Sequence, residues 1–305
     1  MLSILTRKFS SPHLLYVGMG EMGYHISGTL SKKFPVTVWN RTFDKAQKHA
    51  NEFKTTALTG PDPFAHDISH IDVIFSCLPT SNEVSLFADK LIASKSAKKS
   101  NLVWVDNTSG VPATSKDIAK RLEQHNIGFL DAPISGGRAG AIKGQLAVMV
   151  GGPAKYFQLV EQVLQPLAKS LIHIDEKVGS GHAVKGYNNL LYACNILLAM
   201  KTAQSLEANG VNVDKALRTI MAASGGSNSM SRVHQYATNN RTIDYNFKTN
   251  LLIKDMDIGL SMFDNQDKDP VFAVFKEIKK IYNDCAQPNW ENSDIFDLYS
   301  FIENK

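Results

Sequence analysis

LLYVGMGEMG, residues 14–23, decides how the rest of the chain is read. Four apolar or aromatic residues run into glycines at 18, 20 and 23, and a helical pattern follows. Glycine at the first of these positions allows a tight turn, and at the second it lets the backbone approach a pyrophosphate. The charge of that group would sit on the N-terminus of the next helix. The spacing alone is common. Its place between a strand pattern and a helical pattern predicts a dinucleotide site built from Gly18, Met19, Gly20, Met22 and Gly23.

Working outward, short β-branched runs alternate with helical stretches as far as about residue 173, the pattern of a parallel sheet covered on both faces. Strands are expected at 14–18, 36–39, 72–78, 102–106, 128–132 and 146–152, with polar, Lys-rich helices such as 43–53 and 114–126 between them. After Gly179 the strand pattern stops. Residues 182–209 read as one long helix, apolar around much of its circumference and ended by Gly210. Further helices are expected at 213–223, 250–265 and 271–285.

The end of the second expected strand bears on the cofactor. A site for NAD places Asp or Glu there to bind the ribose hydroxyls, whereas this chain has Asn40, Arg41 and Thr42. The missing carboxylate and an available guanidinium favour the 2′-phosphate of NADP. Leu78 and Pro79, closing the run at 72–78, join the cofactor candidates. DAPISGGRAGA, residues 131–141, offers Ser135, Gly136 and Gly137, a hydroxyl and successive backbone N–H groups suited to a small carboxylate. Arg138 reads as an exposed arginine. In GSGHAVKGYNN, residues 179–189, Lys185 and Asn189 lie four apart on one helix face. An ammonium there can give a proton to a substrate oxygen, and the amide can hold that oxygen or orient the amine. His182 is the nearest rival acid or base but reads as structural or exposed, Tyr187 as packing, and His66 and His70 as surface residues.

Composition narrows the class. The 305 residues are 43% hydrophobic and 20% charged, enough for one large or two medium domains. No apolar run reaches the roughly 18 residues of a membrane span. Cys77, Cys194 and Cys285 lie far apart with no metal-binding spacing, so neither a disulfide framework nor a zinc site is expected. The sequons at Asn40, Asn107 and Asn240 read as accidental. Net charge is +4 from 33 Lys and Arg against 29 Asp and Glu, and the basic residues are dispersed, which argues against nucleic acid. Residues 1–12, MLSILTRKFSSP, have transit-peptide chemistry: Arg7 and Lys8, hydroxyls, no acid, and apolar residues at helical spacing. RKFS resembles the arginine-led site at which mitochondrial presequences are cut.

Taken in order, these pieces resemble the β-hydroxyacid dehydrogenase family, which includes 3-hydroxyisobutyrate dehydrogenases and glyoxylate and succinic semialdehyde reductases. The resemblance runs from about residue 14 to the C-terminal region. It implies an α/β fold: a Rossmann-type, doubly wound parallel sheet domain (13–178) followed by an all-α domain (179–305) joined by a long helix, with the active site between them. It also implies Lys185 as catalytic lysine with Asn189 as partner, and Ser135, Gly136 and Gly137 as holders of the substrate carboxylate. DNTSGVP (106–112) looks like the family's D-x-S-T-x-x-P signature with Thr108-Ser109 in place of Ser-Thr, which puts Ser109 beside nicotinamide and substrate. FKTNLLIKDMDIG (247–259) matches the segment that closes over the cofactor, making Lys254 a cofactor contact and placing Phe247 and Asp255 near the substrate. The C-terminal signature departs from the family: in WENSDIFDLYSF (290–301) Asp294 stands for the acid, and Phe296 stands where a serine is expected.

The expected protein is an NADP(H)-dependent oxidoreductase that interconverts a small hydroxy acid and its aldehyde or oxo acid, with reduction of glyoxylate or succinic semialdehyde foremost. It needs no metal, binds neither membrane nor nucleic acid, forms a homo-oligomer and works in mitochondria, with the cytoplasm as the other location. The alternatives are a 3-hydroxyisobutyrate dehydrogenase of valine catabolism and a non-catalytic dinucleotide-binding scaffold.

Overall fold

A computed structural model describes residues 11–94, 102–243, 247–264, 268–289 and 292–303. The first ten residues of the expected presequence lie outside the described residues. The chain forms two compact units, Met1–Lys185 and Gly186–Lys305.

The first unit holds one sheet. β1 (Leu14–Val17), β2 (Val36–Trp39), β3 (Thr56–Ala57), β4 (Val73–Ser76), β5 (Val103–Asp106) and β6 (Gly128–Asp131) lie parallel in the spatial order 3-2-1-4-5-6, the order of dinucleotide-binding sheets. The helices are α1 (Glu21–Leu30), α2 (Phe43–Phe53), α3 (Ser81–Ala93), α4 (Pro112–Glu123), α5 (Gly137–Lys143) and α6 (Ala154–Leu164). Alternation along the strands builds a core on each face. Leu14 and Tyr16 join one apolar cluster with Ile26 of α1 and Val163 of α6. Leu15 and Val17 join another with Val84 of α3 and Ile118 of α4. Strands buried on both faces carry apolar residues throughout, which is why β1 reads LLYV without polar interruption.

Beyond β6 the sheet is not parallel throughout. β8 (Leu146–Gly151) pairs antiparallel with β6 and with the two-residue β7 (Ile134–Ser135), and the seven-residue α5 lies between β7 and β8. β9 (Ala168–Asp175) pairs parallel with β8. None of its residues is fully buried, so it lacks the apolar run that marks the other long strands. α4 starts earlier than expected, with Pro112 at its first position, where a missing N–H costs nothing.

The second unit is helical, apart from a single bridge between Lys248 and Asp294 among the described residues. α7 (Ser180–Ala208) begins in the first unit and runs through the boundary. Gly210, at φ 70°, ends it, with Val211 N donating to Leu206 O (3.0 Å). α8 (Val213–Ala222), α9 (Asn228–Thr238), α10 (Thr249–Leu260), α11 (Pro270–Ala286) and α12 (Asp297–Glu303) follow. The helix expected at 250–265 ends at Leu260, and residue 265 lies outside the described residues. α9 has a mostly polar sequence after two glycines and buries Met230, Val233 and Tyr236 on one face; Ser227 caps it by accepting from Met230 N. Ile196, Met200, Leu252, Met256, Tyr282 and Leu298 are fully buried in this unit's core.

Candidate functional site

Apart from Lys185, which lies on α7, the expected site residues of the first unit follow four of the parallel strands, and β6 after a short turn, at the C-terminal edge of the sheet. The crevice of such a fold opens where neighbouring strands send their connections in opposite directions, here between β1 and β4. Gly18 leaves β1 at φ 103°, and a Cβ there would lie 2.4 Å from Cys77 O at the end of β4. A Cβ on Gly23 would lie 2.0 Å from Gly18 O, so this glycine lets α1 pack against its own loop. Gly20 is the opposite case: it is exposed, and a Cβ there would meet nothing within 4 Å. Gly20 also opens α1 without a side-chain cap. The first-turn amides therefore have room in front of them for an anion, so the loop fits a dinucleotide pyrophosphate.

The rest of the motif is braced from within. Met19 buries its side chain and donates its N–H to Asn40 Oδ1 (3.0 Å). Asn40 Nδ2 donates in turn to Thr42 O (2.9 Å), so this amide ties the β1 and β2 loops together. Arg41 and Thr42 are exposed, and Met22 is half-buried. After β4, Leu78 N donates to Thr108 Oγ1 (3.1 Å), while Pro79 is exposed and Ser109 half-buried. Asp106 Oδ1 accepts from Ser76 Oγ (2.7 Å) and Thr108 N (3.1 Å). Asn107 donates to Ala132 O (2.7 Å) and accepts from the Tyr16 hydroxyl, which burial holds well above its ordinary range. Buried at a sequon, Asn107 serves the sheet.

Ser135 ends β7 half-buried, Gly136 is exposed at φ 135°, and Gly137 follows at φ 64°. Thr29 Oγ1 of α1 donates to Ala141 O of α5 (2.9 Å), joining this turn to the glycine loop's helix. Arg138 is exposed as expected and lies 3.5 Å from Glu21 Oε1. His182 is wholly buried, with Nδ1 2.7 Å from Ser115 Oγ. His70 is exposed, and His66 Nε2 lies 2.8 Å from Thr59 O. Among the described residues no cluster of His, Cys, Asp or Glu could hold a metal ion.

Lys185 is buried on α7 one turn before Asn189, and the unit boundary falls just after it. In the second unit, Asn189 Nδ2 donates to Asp255 Oδ2 (2.5 Å), and Asn189 Oδ1 accepts from Asn188 Nδ2 (2.9 Å). Asp255 is buried, its Oδ1 3.1 Å from Lys254 Nζ. The approach of α7 to α10 is possible because glycines face each other: a Cβ on Gly259 would lie 2.9 Å from Gly186 O. Phe247 is half-buried, its N–H donating to Asp294 Oδ2 (2.9 Å) and its ring 6.4 Å from Tyr192. The altered C-terminal signature serves the core. Phe296 stacks on Tyr236 at 4.7 Å, and Asp294, raised above the usual carboxylate range by burial, accepts from Phe247 N and Phe296 N.

Two roles were invisible in the sequence. Asp131 opens DAPISGGRAGA with no role expected of it, yet it is fully buried and accepts two backbone N–H groups from the start of α7. Asn40 stood as a cofactor contact, with no sign that its amide braces Met19. Only the short side chain at a strand end hinted at either.

The fold and its glycine-bordered crevice define a dinucleotide-binding domain. Residues 13–175 match the family model described as the NAD binding domain of 6-phosphogluconate dehydrogenase. Residues 179–301 match the model described as NAD-binding of NADP-dependent 3-hydroxyisobutyrate dehydrogenase. Mitochondrial 3-hydroxyisobutyrate dehydrogenase of Homo sapiens is 26% identical over 95% of this chain and 86% of its own length. The 2-(hydroxymethyl)glutarate dehydrogenase of Eubacterium barkeri is 32% identical over 59% of each. The structure of Mycobacterium tuberculosis 3-hydroxyisobutyrate dehydrogenase with L-serine superposes at TM-score 0.81 with 22% identity, covering 96% of this chain and 99% of that one. The chain belongs to the β-hydroxyacid dehydrogenase family. It is an NAD(P)-dependent hydroxyacid dehydrogenase, acting on CH–OH donors.

Proposed function

We propose that this enzyme uses NADPH to reduce a small aldehyde acid, such as glyoxylate or succinic semialdehyde, to its hydroxy acid. The observation that carries the reading is the turn of α7 that sets Lys185 one turn before Asn189, whose amide is fixed by Asp255 at 2.5 Å. The Gly18 to Gly23 loop holds the pyrophosphate, with Leu78, Pro79, Ser109 and Lys254 as further cofactor contacts. Bound there, the nicotinamide supplies or takes up the hydride. Ser135 and the amides of Gly136 and Gly137 hold the substrate carboxylate, with Phe247 beside it. Lys185 Nζ holds the proton that passes to the forming alkoxide, and in the oxidative direction it takes that proton back. Asn189 has its carbonyl oxygen and one amide hydrogen committed to Asn188 and Asp255, leaving one N–H to orient the substrate oxygen.

NADP is supported by the absence of a carboxylate after β2, by exposed Arg41, and by the NADP-dependent family that the second unit matches. 3-Hydroxyisobutyrate dehydrogenase is the second reading, supported by the human relative, whose mitochondrial name also agrees with the chemistry of residues 1–12. A homo-oligomer is supported by Leu191 and Leu198, more than half exposed and seven residues apart on α7. Steady-state rates with NADPH and NADH against a panel of aldehyde acids and short hydroxy acids test the function. Preferred turnover of glyoxylate or succinic semialdehyde with NADPH is expected. A preference for 3-hydroxyisobutyrate with NAD selects the second reading, and cofactor binding without turnover selects the scaffold.

A further inference from the structure

The helix that carries Lys185 starts in an unusual way. Gly179, whose carbonyl accepts from Ala183 N (2.9 Å), opens α7 with no side chain to offer its amides. It sits at φ 95°, and a Cβ would lie 2.9 Å from Pro112 O, so a capping side chain has no place there. The first amides of a helix need partners. In a capping box, two side chains of the helix itself serve the opening residue and the third residue within. Here one carboxylate from strand β6 serves both: Asp131 Oδ1 accepts from Gly179 N (2.6 Å) and Oδ2 from His182 N (2.8 Å). The packing leaves this turn no slack, since a Cβ on Gly181 would lie 2.3 Å from Met149 O of β8.

The third residue within the helix is His182, and its ring fixes the turn a second time. Nδ1 lies 2.7 Å from Ser115 Oγ at the start of α4, and Nε2 lies 3.9 Å from Asp106 Oδ2. Gly110 makes room for the ring, as a Cβ there would lie 2.6 Å from His182 Cε1. Segment 106–110, which carries Ser109, is therefore moulded on an imidazole three residues before Lys185. Both groups are buried, Asp131 at 0% and His182 at 1% exposure.

We infer that Asp131 and His182 are positioning residues for Lys185: the carboxylate caps the first turn of α7 from a neighbouring strand, and the imidazole registers that turn against the Ser109 segment. The inference rests on the reading of Lys185 as proton carrier. Neither group touches the reacting atoms. Their effect is on where the ammonium stands, and a shift of 1 Å in a reacting group can cost about a hundredfold in rate. Burial raises the Asp131 carboxyl above its ordinary range, partly offset by His182 and by the two N–H groups, so the helix start is bought at some cost in stability.

The test uses Asp131→Asn, His182→Ala and His182→Asn in the full-length protein. Readouts are backbone hydrogen exchange of residues 179–186, NADPH binding by fluorescence, and separate kcat and KM values. Asp131→Asn keeps one acceptor and loses the other, so amide exchange at 179–183 should quicken at least about tenfold while the β1 region is unchanged. kcat should fall about ten- to a hundredfold, with KM and NADPH affinity held within about threefold. His182→Ala should lower kcat in the same way, and His182→Asn, whose amide nitrogen can take the place of Nδ1, should restore much of it. Unchanged exchange in Asp131→Asn overturns the cap, and equal loss in both histidine variants overturns the registering role. Where Asp131→Asn does not fold, Ser115→Ala decides: it should lower kcat without altering KM, and wild-type kcat overturns the inference. Exchange is read without substrate, so failure of the cap is distinguishable from failure of the lysine reading, which wild-type turnover by Lys185→Ala would show.

Discussion

The two units hold their candidate site residues with different materials. At the sheet edge of Met1–Lys185, the groups that can face a ligand are largely backbone: the amides at the start of α1 and the turn at Gly136 and Gly137, with side chains such as Asn40 and Asn107 bracing strand ends from behind. In Gly186–Lys305 the corresponding groups are side chains held by one another: Asn189 by Asp255, and Asp255 by Lys254. Backbone groups are positioned by the sheet and tolerate many side chains, provided the glycines remain. A side-chain pair depends on both partners, and one substitution undoes it. α7 joins the two kinds of construction, with Lys185 at the end of one unit and Asn189 near the start of the other.

That contrast can be broken at several points. The largest effect is expected at Lys185: its replacement by alanine should lower kcat about 10²- to 10⁴-fold, the range of general acid–base catalysis, and leave NADPH binding intact by fluorescence titration. Turnover within tenfold of the parent would remove Lys185 from the chemistry. Next comes Asp255→Asn, which takes the charged acceptor from Asn189 and from Lys254. A fall in kcat of about ten- to a hundredfold is expected, with the melting temperature little changed, because in the proposed mechanism the pair orients a substrate contact. If Asn189→Ala and the double variant lose no more than Asp255→Asn alone, the two act as one unit.

Gly23→Ala sharpens the backbone side. With a Cβ due 2.0 Å from Gly18 O, α1 must move away from its loop, and a stability loss of about 1–3 kcal/mol is expected in denaturant unfolding, together with weaker NADPH binding. Gly20→Ala, facing open space, should retain stability, and any loss there should appear only in NADPH affinity.

A last effect, on stability and not on turnover, concerns His49, which braces α1 from α2. Its Nε2 lies 2.8 Å from Ser27 Oγ and 3.1 Å from Tyr24 O, and burial lowers its pKa from 6.5 to about 4. The unfolded chain therefore binds the proton more readily than the folded one between those values. Stability from this group is fully present above pH 6.5 and is lost as pH falls toward 4, by up to about 3 kcal/mol. Urea unfolding of His49→Gln and the parent between pH 7 and 5 should show a shallower pH slope in the variant; parallel slopes would exclude His49 as the cause.

Much of the fold was legible. β2 and α2 fall where alternation and helical spacing put them, at Val36–Trp39 and Phe43–Phe53. β9 escaped because its burial is partial throughout, and the antiparallel return of β8 escaped because periodicity carries no strand direction. In the candidate site, the glycines at 18, 20 and 23 were readable as a dinucleotide turn, whereas the close packing of α1 on its loop at Gly23 was not. Asp255 was expected near the substrate by resemblance; its bonds are to Asn189 and Lys254. Asp131 had no expected role, since nothing in DAPISGG says that its carboxylate turns toward residue 179.

By itself the sequence determined what depends on near neighbours: strand and helix periods, the glycine turn after β1, the missing acid after β2, and the one-turn spacing of Lys185 and Asn189. Those are constraints of sterics and period acting within a few residues. Tertiary structure alone decided which polar atoms meet. Asn40 lies 21 residues from Met19, Asp131 lies 51 from His182, and Asn189 lies 66 from Asp255. Such pairs form because a buried N–H or carboxylate must find a partner, and which partner is within reach depends on the packing of the whole chain.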